Sequence, residues 1–106
     1  MSLIDITLLS LFEIVGDFGF KAVALSGSFS GWFAGISGYT GIVYTLIKSL
    51  KVGNVVYVNG MWDGMSALLE TLVAIFVFGE RLDSPFQYVG MALIIIGLFF
   101  LGKPIN

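Results

Sequence analysis

Apolar residues run through this chain in four long stretches, at about 3–25, 29–50, 52–78 and 86–101. A helix that crosses a bilayer needs roughly 20 mostly apolar residues, whereas a strand of a membrane barrel takes about 9 to 11 strictly alternating ones. The stretches are continuously apolar and about twice as long as such strands, so the pattern predicts helices. Between them lie Ser26-Gly27-Ser28, the turn from Lys48 to Asn54 with Gly53, and Gly79 to Pro85, each rich in helix-ending or polar residues. The fourth stretch is short, and Pro85 is suited to extend it by opening its first turn. The prediction is an all-α membrane protein whose residues 1–106 form one domain of four transmembrane helices.

Composition agrees with a chain solvated by lipid. Of its 106 residues, 58% are hydrophobic and 11% charged, where a soluble domain carries about 25% charge. There is no cysteine, hence no disulfide and no thiolate metal site, and no histidine, so proton chemistry falls to carboxylates. No nucleophile–base pair or metal motif stands out, which argues against an enzyme and calls for neither cofactor nor metal. The net charge of −2 arises from scattered residues without a basic cluster, so neither nucleic-acid binding nor a polybasic membrane tether is indicated. A cleavable signal peptide is disfavoured, because residues 1–12 lack a basic segment and Glu13 interrupts the apolar run.

The informative residues are the charges inside the stretches. Glu13, Asp17 and Lys21 are spaced four and four, so they form one polar stripe on the first helix. Counted at about 1.5 Å per residue from Leu3, Glu13 lies roughly 15 Å deep, near the middle of a core about 30 Å thick. On the third helix, Asp63 and Glu70 are seven residues apart and share nearly one face. If the first and third helices are neighbours, Lys21 and Glu70 fall at one level and can form a structural ion pair, while Glu13, Asp17 and Asp63 gather near the midplane. Each charge facing lipid at a helix centre costs roughly 2.5 to 3.5 kcal/mol or more, and one lysine cannot neutralise four carboxylates. Burial and mutual repulsion favour protonated acids, so the cluster is expected to hold either protons or cations. Trp62 beside Asp63, Asn59 one turn earlier, and Tyr39 on the second helix supply aromatic and polar walls fit for an organic cation.

Orientation is weakly specified. Lys48, Lys51 and Lys103 fall on one side of a four-span topology and Lys21 and Arg81 on the other, a near tie that predicts dual insertion and would let two copies pack antiparallel. Small residues at helix-contact spacing, Gly31, Gly35, Gly38 and Gly41, then Gly60 and Gly64, then Gly90 and Gly97, suit close backbone approach in lipid.

These residues resemble the small multidrug resistance transporters, the four-helix branch of the drug/metabolite transporter superfamily, over almost the full length. Glu13-Ile14-Val15-Gly16 followed by Lys21 is similar to that family's first helix, and Trp62-Asp63-Gly64 to its Trp-Ser-Gly segment. Gly79-Glu80-Arg81-Leu82-Asp83 with Pro85 is similar to its third loop, and residues 90–97 to the dimer seam of its last helix. The resemblance implies an antiparallel, dual-topology homodimer in the cell (inner) membrane. It also implies two Glu13 residues facing one cavity and proton-coupled export of cationic compounds by alternating access. Asp17 and Asp63 stand where the family carries small hydroxyl residues, Glu70 replaces an apolar residue, and Asn59 a tyrosine. The extra acids suggest a small or highly charged substrate, polyamine-like or zwitterionic. A cation channel and a non-transporting membrane subunit remain open as alternatives.

Overall fold

Short polar turns cut the chain into four helices in the computed structural model, which describes residues 3–102. They are α1 (Leu3–Ser26), α2 (Phe29–Leu50), α3 (Val55–Phe76) and α4 (Pro85–Gly102), with no strand among the described residues. Lys103, one of the five basic residues used to weigh orientation, lies outside them.

The helix ends at the three turns have local causes. Gly27 adopts φ +66° and donates its N–H to the Val23 carbonyl at 2.7 Å, a left-handed cap that a side chain would disfavour. Ser28 then caps α2, its hydroxyl accepting from the Gly31 N–H at 3.0 Å. The third helix opens three residues later than the apolar run suggests. Val52 and Gly53 turn back to donate to the Ser49 carbonyl, and Asn54 caps α3 by accepting from the Tyr57 N–H at 2.7 Å. It also ends earlier than expected, at Phe76, where Arg81 donates to the Ile75 carbonyl at 3.2 Å. Pro85 opens α4 behind a reciprocal cap: the Ser84 hydroxyl accepts from Phe86 N–H while the Gln87 amide oxygen accepts from Asp83 and Ser84 N–H.

Packing centres on α1. It lies along α2 most extensively and against α3 on its other side, whereas α2 scarcely meets α3 and α4 touches α3 alone. The result is a flat bundle with Cα extents of 50 × 36 × 17 Å. At the α1–α2 seam, Gly16 and Gly19 face Gly31, Gly35 and Gly38, and all five are buried. A Cβ added at Gly38 would lie 2.6 Å from the Phe12 carbonyl oxygen and 2.7 Å from Gly16 Cα, so the two backbones are in direct contact. The buried apolar side chains are few, Ile6, Leu9, Ile42, Val58 and Met61, and α4 buries none.

By length and hydropathy alone, α4 is the one described helix that reads as a membrane span, with a mean hydropathy of 1.9 over Pro85–Gly102. The departure from four equivalent spans has a plain origin. Asp5, Glu13, Asp17 and Lys21 lower the apolarity of α1, Asp63 and Glu70 that of α3, and glycines and hydroxyl residues that of α2.

Gly38→Ala forces backbone to move at the seam and should cost about 1 to 3 kcal/mol. Gly102→Ala, whose Cβ would meet Met61 alone among the described residues, at an ordinary 3.6 Å, should be near neutral. Unfolding of both variants in one detergent, followed by helical circular dichroism, checks the contrast.

Candidate functional site

The polar stripe of α1 faces a matching stripe on α3. Trp62, Ser66 and Glu70 recur every four residues and so share a face. The Ser66 hydroxyl and the Trp62 indole look onto Glu13. Neither closes the site: Glu13 Oε1 and Trp62 Nε1 are both buried without a hydrogen-bond partner, and the Ser66 hydroxyl donates to the Asp63 carbonyl at 3.3 Å. One turn along α1, Asp17 accepts a hydrogen bond from the Tyr39 hydroxyl of α2. Glu70 stands beside Asp17, within hydrogen-bonding reach once either acid is protonated.

Glu13, Asp17 and Glu70 therefore form the cluster, one carboxylate oxygen from each lying within 4.8 Å of the other two. Three acids at that spacing repel one another unless they share protons or a cation. Asp63 was expected in this group and is instead exposed, near enough to Glu13 only for their charges to interact. Asn59, one turn before it, is exposed as well and makes no side-chain hydrogen bond among the described residues.

The expected Lys21–Glu70 ion pair does not form; Lys21 bonds to Glu80 in the α3–α4 turn. The start of α3 at Val55 explains the exchange. Counted from there, Glu70 is fifteen positions along α3, level with Asp17, fourteen positions along α1. Lys21 lies a turn further on, where the chain after α3 brings Glu80. At the opposite end of the bundle, Lys48 pairs with the buried Asp5 at 3.6 Å.

A cavity of about 540 Å³ opens between α1 and α3, lined by Asp17, Phe18, Phe20, Lys21, Glu70 and Glu80 among others. Aromatic rings frame it. Phe18 stacks on Phe78 with centroids 4.7 Å apart, and Phe20 meets Tyr39 at 5.7 Å and Trp32 edge-on at 5.8 Å. Sequence reasoning missed Ser66 and Glu80 as members of this constellation. Ser66 could have been found from its place four residues after Trp62 and four before Glu70; no spacing rule reaches Glu80, since a turn residue has no helical register.

Over 92 aligned residues, 84% of this chain and 80% of the relative, the sequence is 35% identical to Multidrug transporter PA4990 of Pseudomonas aeruginosa. No protein-family model and no solved structure matches the chain.

Tyr39→Phe removes the hydroxyl that holds Asp17 and should lower stability by about 1 kcal/mol, whereas Asn59→Ala should stay within about 0.5 kcal/mol of the parent. Chemical unfolding of the two variants side by side is the measurement.

Proposed function

The chain belongs to the same multidrug transporter family as that Pseudomonas aeruginosa protein, and we propose on this premise that it exchanges protons for small cationic compounds across a membrane. The observation that carries the reading is the gathering of one carboxylate oxygen each from Glu13, Asp17 and Glu70 within 4.8 Å of one another on the face between α1 and α3. Acids packed this closely in an apolar bundle bind a proton or an external cation in preference to standing as free anions. Arrival of the cation then expels the protons, and protonation from the other side expels the cation. Exchange follows from shared occupancy.

The chemistry of the walls narrows the substrate. Three acids in and beside one cavity can balance more than one positive charge, and Phe18 and Phe20, which line it, offer aromatic surface to methylene groups or to cationic nitrogens, with Tyr39 packed behind Phe20. A polyamine-like or zwitterionic compound fits this better than a bulky monocation. Trp62 and Ser66 lie beside Glu13, and Glu13 Oε1, buried like the indole N–H without a hydrogen-bond partner, is left to meet a proton or a bound amine.

Alternating access needs a second set of helices to rock against, and α4 supports a second copy in that role. It contacts α3 alone, and Gly90 and Gly97 have no atom within 4 Å of a built Cβ, so their small faces are free to meet a partner helix. We assign this face to an antiparallel homodimer in which all four helices span the bilayer.

In liposomes loaded at one pH and diluted into another, a spermidine gradient should drive proton movement through the parent protein. Glu13→Gln should abolish that movement, and retained coupling in this variant would refute the exchange mechanism. Gly90→Leu with Gly97→Leu should reduce cross-linked dimer in detergent while leaving helical content unchanged, because a Cβ at either position meets no atom of the described residues within 4 Å.

A further inference from the structure

The Lys21–Glu80 pair joins α1 to the α3–α4 turn at the edge of the acidic cavity. Lys21 follows Asp17 by one helical turn on the same face of α1 and lines the same cavity as Glu70. Its four-carbon stem is flexible, so the ammonium has a second set of acceptors within reach, the cavity's own acids. It is bonded instead to Glu80, and the two side chains are 48% and 44% exposed, a pair that solvent and neighbouring charges can readily break.

Glu80 belongs to no helix, lying between the end of α3 at Phe76 and the start of α4 at Pro85. Its place depends on how the turn sits. That turn is held against α1 by the stack of Phe18 on Phe78. The same four residues, Phe18, Lys21, Phe78 and Glu80, also line a second cavity of about 180 Å³ walled by Ala22 and Leu25. The pair thus stands between an acidic cavity and a nearly apolar one.

We infer that Glu80 is a positioning residue that keeps the Lys21 ammonium away from Asp17 and Glu70, leaving these acids free for an external cation. The inference rests on reading the cavity as a cation site. Lys21 is then a tethered competitor with two berths, and the α3–α4 turn selects between them. With the turn docked, Lys21 sits on Glu80 and the acids accept substrate. When the turn swings out, Lys21 moves onto the acids and displaces the cation. Release is thereby coupled to movement of the turn without any new charge entering the membrane.

The test frees Lys21 from its holder. In purified protein, Glu80→Gln should weaken spermidine binding, measured by calorimetry, about tenfold if Lys21 then occupies the acids nine-tenths of the time. In the same variant, acetylation of Lys21 by acetic anhydride, read by peptide mass spectrometry against Lys48 and Lys51, should fall. Adding Lys21→Gln to Glu80→Gln should restore binding to the level of Lys21→Gln alone. Unchanged Lys21 labelling in Glu80→Gln, or equal loss of binding with and without Lys21, overturns the inference. If the parent protein fails to bind spermidine while Lys21 labelling still falls in Glu80→Gln, the movement of Lys21 is upheld and the reading of the cavity as a site for such a cation fails.

Discussion

Placing ionised groups in apolar helices is the constraint on which this fold depends. A carboxylate or ammonium buried without a partner costs several kcal/mol, and α1 carries four charges between Asp5 and Lys21. No orientation of an isolated α1 hides all of them. The helix has to be surrounded, and it is: α2 takes one side, with Lys48 answering Asp5 and Tyr39 answering Asp17, and α3 and the turn beyond it take the other, with Glu80 answering Lys21. The least polar helix, α4, is correspondingly free to sit at the margin against α3 alone.

The balance left over is what gives the site its chemistry. Lys21 and Lys48 are both engaged by acids that lie outside the Glu13, Asp17 and Glu70 cluster. Among the described residues, no lysine or arginine is therefore paired with the cluster. Tyr39 steadies Asp17 with a hydrogen bond, but a phenol brings no positive charge, and Glu13 keeps one buried oxygen unpartnered. A protein that only needed stability would place a lysine or an amide here. An arrangement that leaves several carboxylates to one another is suited to groups that come and go.

How far the sequence foretold this depended on helical register. The four apolar stretches, the Gly27 and Pro85 boundaries and the α1 stripe of Glu13, Asp17 and Lys21 are all local patterns, and the structure follows them closely. What could not be read was the relative level of two helices. An apolar run does not say where its first turn begins, and Val52 is as apolar as Val55; only the Asn54 side chain accepting from Tyr57 N–H decides it. That three-residue difference brought Glu70 level with Asp17 and left Lys21 to a turn residue, while Asp63 falls outside the cluster because it is exposed. Depth matching between helices is thus only as good as the caps from which it is counted.

The glycines show how packing and site are one device. Gly16 lacks a side chain where one would strike the Tyr39 ring at 2.6 Å, so Tyr39 can lie flat against α1 and bring its hydroxyl to Asp17, the next residue of that helix. Gly35 makes the same room for the Phe20 ring, which in turn packs on Tyr39 and Trp32. Small residues here do more than let two backbones approach. By giving up their own side chains, they make space for aromatic rings to lie on the opposing helix, and the rings place the hydroxyl and frame the acids. The spacing that builds the α1–α2 seam is, for this reason, also the spacing that shapes the cavity beside it.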